Sequence, residues 1–194
     1  MIFSAPILGL GPTMMGLVTI LLRFEIFLLL LIIGAAIWIL WPLVIGAGWI
    51  PTPKNVVKKM LCFAEVGPGD TLFDLGSGDG RIIFTAALEH EAHAVGIEAD
   101  PLRVLITRIW IRLKGLEDRV EVNWSNFFKK DLSAASIVTV YQSTEINNRL
   151  KEKLLRELCP GTRVISYSFI FDGWEPVKVD ESTKLYLYEI KPKK

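Results

Sequence analysis

The sequence predicts a doubly wound α/β domain, Rossmann-like, behind an apolar N-terminal region, and three observations carry that expectation. From Thr71 onward, short apolar runs alternate with helical-period segments, the pattern of a parallel sheet with helices on both faces. The first run meets a glycine-rich turn, Phe73-Asp74-Leu75-Gly76-Ser77-Gly78-Asp79-Gly80-Arg81, which opens a segment rich in Ile and Ala. The second, Ala94-Val95-Gly96-Ile97-Glu98, closes on an acid 18 residues after Gly80.

The elements follow in order. Thr52 is positioned to cap a helix with Pro53 in its first turn. Val56, Val57, Met60, Leu61 and Ala64 then recur at helical spacing until Gly67-Pro68-Gly69 stops them. Strand one is expected at Thr71 to Phe73, a second helix from the glycine turn to about Glu89, and strand two at Ala94 to Glu98. Asp100-Pro101 starts another helix that runs to Lys114 before Gly115. Its basic residues Arg103, Arg108, Arg112 and Lys114 read as an ordinary solvated face, with anionic lipid headgroups as the alternative. Strands three and four are expected at Arg119 to Asn123 and Ile137 to Tyr141, with a helix at Glu145 to Leu158 stopped by Cys159-Pro160-Gly161. Arg163 to Phe169 is strand five, and Val177 to Val179 with Lys184 to Ile190 form a closing hairpin.

The glycine turn reads D-x-G-x-G-x-G. A dinucleotide fingerprint, G-x-G-x-x-G, requires glycine where the chain has Arg81. S-adenosylmethionine (SAM) has no pyrophosphate, and its sulfonium tolerates a nearby carboxylate, so Asp74 and Asp79 suit SAM better than NAD. Glycines let backbone approach a ligand where a side chain would collide, and the following helix presents free N–H groups. Glu98 stands where doubly wound sheets keep an acid for a ribose diol. The alternatives are a tight turn without a ligand and a solvated loop acid.

Of the 194 residues, 51% are apolar, and the excess is concentrated near the start. No charge occurs from Ile26 to Ile50, a stretch longer than the about 20 residues that cross a bilayer as a helix. Trp38, Trp41 and Trp49 suit an interface, and Pro42 would kink the helix. The region 1–50 is therefore read as a membrane anchor with its span at about 26–50, and 51–194 as the catalytic domain. Residues 1–22 are also uncharged but are interrupted by Pro6, Gly9, Gly11, Pro12 and Gly16. They fit a second span in a hairpin, a re-entrant segment, or one over-long helix. A cleaved signal is not expected, because the run is too long and lacks a basic leader. Lys54, Lys58 and Lys59 after the span place the domain in the cytoplasm by the positive-inside rule. Two cysteines, Cys62 and Cys159, fit a reducing compartment and form no metal-ligand pattern, so no metal is expected. A formal charge of +1 supplies no field for gripping nucleic acid.

With these residues set out, the chain resembles the small archaeal protein-lysine methyltransferases and their membrane-anchored mitochondrial relatives. The resemblance covers Ile50 to about Ile190. It rests on Pro51-Thr52-Pro53, the turn from Asp74 to Arg81, Gly96-Ile97-Glu98, Asn126-Phe127-Phe128, Tyr141 with Glu145 to Leu150, Pro160-Gly161-Thr162-Arg163-Val164, and Trp174. It implies a class I SAM methyltransferase fold, SAM as cofactor, and methyl transfer to the ε-amine of a protein lysine at the membrane. Two departures fall at the acceptor edge: Gln142-Ser143-Thr144 stands where apolar residues are expected, and Tyr167 where His is expected.

The expected cofactor residues are Thr52, Asp74, Gly76, Ser77, Gly78, Asp79, Glu98, Asn126 and Phe127. Asn126 would meet the adenine amine and Phe127 would stack on the ring or pack in the core. The catalytic candidates are Tyr141 and Glu145. Tyr141, at the carboxyl end of strand four, either orients the amine or lids the core. Glu145 either orients or deprotonates it, or serves as a first-turn helix acid. Trp174 walls the acceptor channel or packs in the core, and His90 and His93 receive no chemistry. A lipid or small amphiphile as acceptor, and a non-catalytic membrane adaptor, are the competing functions. A nucleic-acid enzyme fits less well, because strand four ends in Tyr141-Gln142-Ser143 rather than N-P-P-Y or D-P-P-Y.

Overall fold

A computed structural model describes residues 12–44 and 50–192. The chain divides into two compact units, residues 1–49 and 50–194. Within the first, one helix, α1 (Pro12–Val44), runs through the whole described stretch. Residues 12–22 therefore do not turn back as a hairpin; Arg23 and Glu25 lie inside a continuous helix, the over-long alternative. The described end falls at Val44, so the expected span to residue 50 is not matched, and Pro6, Gly9, Gly11 and Trp49 lie outside the described residues. Met14–Leu40 is long and apolar enough to cross a membrane, with a mean hydropathy of 2.6, and none of it is buried within the chain.

The second unit is a seven-stranded sheet in the order β3-β2-β1-β4-β5-β7-β6. Its strands are β1 (Thr71–Leu75), β2 (His93–Glu98), β3 (Val120–Trp124), β4 (Ile137–Val140), β5 (Arg163–Tyr167), β6 (Lys178–Asp180) and β7 (Leu185–Glu189). The first five are parallel, and β7 lies antiparallel against β5. The chain winds outward from β1 to β3, then returns to place β4 against β1. This reversal is the switch point where open α/β sheets bind ligands at the carboxyl ends of strands.

Helices α2 (Lys54–Phe63), α3 (Arg81–Glu89) and α4 (Pro101–Leu113) cover one face, and α5 (Thr144–Glu157) covers the other. Met60, Leu61, Ile83 and Ala86 pack on Leu72 and Ile137 in the first layer. Leu150 and Leu154 pack on Val138, Val140 and Tyr188 in the second. Strand alternation decides the sorting: Leu72 and Phe73 enter opposite layers. Trp174 joins Phe171 and Tyr188 there, with ring centroids at 5.3 and 4.9 Å, so core packing accounts for its position.

Two caps differ in how they meet expectation. Asp100 caps α4 as its sequence predicts, Oδ1 accepting from Leu102 N at 2.9 Å. Thr52 does not cap α2: Pro53 occupies the cap position, and no side chain closes the helix end. Strand β1 also extends past Phe73, so Asp74 lies within the strand rather than after it.

At the opposite end of the strands, Asp70 Oδ1 accepts from Ser136 Oγ and from Arg163 Nη2, both at 2.7 Å. Arg163 Nη1 also donates to the carbonyls of Ala64 and Glu65 at 2.7 and 2.8 Å. Glu65 has a positive φ of 54°, so the guanidinium holds a turn that a non-glycine residue adopts reluctantly. This buckle ties the end of α2 to β1, β4 and β5. Arg163→Ala leaves several half-buried acceptors unpaired and should cost about 2 kcal/mol in chemical denaturation, with cofactor affinity unchanged. An unaltered denaturation midpoint would remove the buckle from the stability account.

Candidate active site

The glycine turn leaves β1 at the switch point and folds onto β2. Gly76 N and Ser77 N both donate to Ile97 O, at 2.9 and 3.1 Å, and Gly80 N donates to Ser77 O at 2.8 Å. Gly76 and Gly80 have φ of 88° and 79°, which a side chain would strain. Space is short as well: a Cβ on Gly76 would meet Gln142 Nε2, and one on Gly80 would meet Phe84 and Thr107. Gly80 starts α3 without a side-chain cap. The helix therefore presents its first N–H groups at the turn.

Glu98, buried at the end of β2, locks this turn. Its Oε2 accepts from Gly78 N at 2.7 Å and its Oε1 from Asp100 N at 2.9 Å. A carboxylate has about four acceptor positions, which leaves room for hydroxyl donors. Gly96 lies beneath: a Cβ there would come within 2.6 Å of Ser77 Oγ. Ser77 Oγ is buried and has no hydrogen-bond partner within the chain, as a cradle intended for a polar ligand would leave it.

Asp74 is buried beside its β4 neighbour, with Thr139 Oγ1 donating to Oδ1 at 2.7 Å. Burial raises its pKa to about 7; the Thr139 bond opposes this, and the negative charges of Glu98 and Asp79 reinforce it. A cationic ligand fits this site, because it would compensate a carboxylate that the fold by itself holds only reluctantly. Asp79 behaves differently. Partial burial works against its ionisation, but Arg81 outweighs this and holds it below the ordinary carboxylate range. Arg81 Nε and Nη2 grip Asp79 at 2.9 and 2.6 Å, while Nη1 donates to Thr52 O at 2.6 Å. Thr52, buried, is thereby fastened to the glycine turn by its backbone, and the predicted convergence of these segments is present.

Beyond β3, Ser125 N donates to Glu98 O at 3.0 Å, which seats Asn126 and Phe127 next to the end of β2. Asn126 is exposed, its Oδ1 accepting from Phe128 N at 2.9 Å. Phe127 is half-buried, packed on Phe128 with centroids at 4.8 Å. Past the end of β4, the Tyr141 ring lies 4.6 Å from Tyr167 and 6.1 Å from Phe169. Burial, then Tyr167, raises its pKa, so the phenol stays protonated at neutral pH. Glu145 is exposed in the first turn of α5, in an open groove of about 730 Å³ with Phe128, Asn148, Arg149 and Glu152. The two catalytic candidates thus have different neighbours.

Residues outside the sequence-based set also line the site. Gln142 lies over Gly76, Nε2 donating to Leu75 O at 3.3 Å. Thr139 holds Asp74. Only strand register (Asp74 opposite Thr139) brings these pairs together, and the sequence shows no local sign of it. Among the described residues, no three His, Cys, Asp or Glu side chains group as a metal site.

A switch-point glycine turn, an edge acid on its amide and a buried aspartate define a SAM-dependent methyltransferase, and the known relatives agree. The profile of the ANTKMT methyltransferase domain matches residues 74–178, and the chain belongs to that family. It is 42% identical over 149 residues to a protein-lysine N-methyltransferase of Saccharolobus islandicus, covering 73% of this chain and 92% of the relative. It is 28% identical over 170 residues to the mouse adenine nucleotide translocase lysine N-methyltransferase, covering 81% of this chain and 74% of that one. Among solved structures, a Salinibacter ruber RNA methyltransferase in complex with S-adenosyl-L-homocysteine superposes with TM-score 0.72 at 41% identity. That match covers 75% of this chain and 96% of the other. The cofactor is SAM.

The raised Asp74 pKa has a defined sign. Its contribution to folding is fully present below about pH 4, the unfolded value, and is lost as pH rises through about 7. The ligand-free protein should therefore lose melting temperature between pH 5 and 8, and Asp74→Asn should flatten that slope. SAM affinity should increase over the same range, with proton release near neutral pH measurable by calorimetry in buffers of different ionisation enthalpy. Flat profiles in both measurements would refute the assignment. Glu98→Gln puts an NH₂ against a backbone N–H and should weaken SAM binding at least tenfold while costing about 1–3 kcal/mol in stability; equilibrium titration and denaturation read the two effects.

Proposed function

We propose that this protein is a membrane-anchored protein-lysine N-methyltransferase. The observation that carries this reading is the 42% identity to a protein-lysine N-methyltransferase across nearly all of that relative. Two further kinds of relative, named as lysine N-methyltransferases of the adenine nucleotide translocase and of an ATP synthase component, support a protein acceptor at a membrane. The helix Met14–Leu40 supports the anchor, and Lys54, Lys58 and Lys59 support a cytoplasmic catalytic domain.

In this reading Gly76, Ser77 and Gly78 hold the methionine portion of SAM by backbone and hydroxyl. Asp74 faces its positive charge, Glu98 accepts from the ribose hydroxyls, and Asn126 and Phe127 attend the adenine. Asp79 and Arg81 act as a clamp that seats Thr52 across the turn. SAM, when bound, supplies an electrophilic methyl group for in-line displacement. What the protein adds is chiefly position: a neutral amine lone pair must be aligned with that methyl, and alignment alone is worth several kcal/mol. A free lysine amine has a pKa of about 10.4, so the site must favour its neutral form by desolvation beside positive charge. The protonated Tyr141 phenol offers an oxygen that accepts an amine N–H and leaves the lone pair free. Glu145 takes the departing proton or directs the incoming side chain from its groove.

A second reading, an RNA acceptor, is favoured by the Salinibacter relative; the net charge of +1 and the Tyr141-Gln142-Ser143 sequence disfavour it. Membranes holding the full chain, supplied with labelled SAM, separate the classes. Label in a protein band, lost when the acceptor lysine is replaced, is the expected result. Label in RNA or in the lipid phase would overturn the lysine reading. No label, together with no rise in melting temperature on adding SAM, would leave a non-catalytic adaptor.

A further inference from the structure

Helix α4 is apolar on two sides. One stripe, Val104, Thr107 and Ile111, is buried against the sheet. The other is formed by Leu102, Leu105, Ile106, Ile109, Trp110 and Leu113, at the spacing of a single helical face. All six are exposed, Leu113 to 71% and Leu105 to 54%. Trp124, 66% exposed at the end of edge strand β3, extends the patch, its Nε1 donating to Ala99 O at the turn into α4. A folded domain seldom leaves such a row uncovered without a partner.

We propose that this face of α4, with Trp124, docks on the surface of an anionic bilayer. The proposal rests on the membrane-anchor reading above. Three observations select lipid over a protein partner. First, the helix contains no acid and carries Arg103, Arg108 and Arg112 among its apolar residues, with Lys114 following; Lys114 Nζ lies 5.9 Å from the Trp110 ring. Cations beside an apolar helical face are the composition of an interfacial helix. Second, the two exposed tryptophans are the residue type that settles at headgroup depth. Third, nine residues, 45–53, connect α1 to α2. Even fully extended they reach about 30 Å, so a domain anchored through α1 remains at the lipid surface, where a weak interfacial site is effective.

Docking by α4 also bears on the reaction. Its first residues bond through Asp100 to Glu98, so the docked helix adjoins the cofactor cradle and sets which acceptors reach it.

The test uses the full chain in vesicles, with Cys62 and Cys159 replaced by serine and an environment-sensitive fluorophore on Ile109→Cys. Vesicles of phosphatidylcholine alone are compared with vesicles that also contain phosphatidylserine. The expected result is a blue-shifted probe, shielded from an aqueous quencher more strongly with phosphatidylserine, while the same probe on Glu181→Cys stays quenchable. Adding Leu105→Glu and Leu113→Glu should abolish shielding while the chain still floats with the vesicles. A chain that floats but leaves the Ile109 probe fully quenchable in both lipids overturns α4 docking and spares the anchor. A chain that does not float overturns the anchor, and the docking proposal with it. Shielding that persists in detergent and rises with protein concentration overturns lipid in favour of a second copy.

Discussion

The carboxylate of Glu98 is the joint on which the site depends. It accepts one backbone N–H from the glycine turn and another from the start of α4, so three segments meet on two oxygens. Because Ile97 O takes two further amides of the same turn, the end of β2 specifies the turn's path almost completely. Gly96 then has to be glycine for a reason unrelated to its own conformation, since Ser77 occupies the space a Cβ would need. A turn held this way is preorganised, so less conformational entropy is lost when a ligand binds.

Charge near the turn is arranged just as closely. Three carboxylates converge there, and each is handled differently: Glu98 by backbone amides, Asp79 by the Arg81 fork, and Asp74 by burial beside a single hydroxyl. Only the last is left short of compensation, and its pKa rises accordingly. A buried acid suited to a cation is an effective recognition device, because the free energy that burial withholds is returned on binding. Structural duty is placed elsewhere. The Asp70–Arg163–Ser136 buckle closes the far ends of β1, β4 and β5, leaving the carboxyl ends to chemistry.

Much of the fold is legible in the sequence because each element has a local signature. Asp100-Pro101 caps and starts α4, and the strands fall within a few residues of their expected bounds. The departures from expectation have physical causes. Thr52 has a capping side chain, but Pro53 takes the cap position and the Thr52 carbonyl is instead claimed by Arg81, 29 residues on. A charged pair, Arg23 and Glu25, reads as a break, yet neither residue disfavours helix and α1 runs through both. Gln142, a departure from the family pattern, lies over Gly76 because β4 pairs with β1.

The amino-acid sequence by itself determined the class of this protein: periodicity laid out the strands and helices, and glycine spacing with two acids at strand ends named the cofactor. Those signals are local, so they survive without coordinates. The tertiary structure decided everything that depends on register and on facing surfaces. Pairing β1 with β4 buried Asp74 against Thr139, crossing from β2 to the turn gave Glu98 its amides, and packing one side of α4 on the sheet left the other side bare. Residues far apart in the chain acquire shared chemistry only when the sheet brings them within a few ångströms, and no spacing along a single strand or helix encodes that meeting.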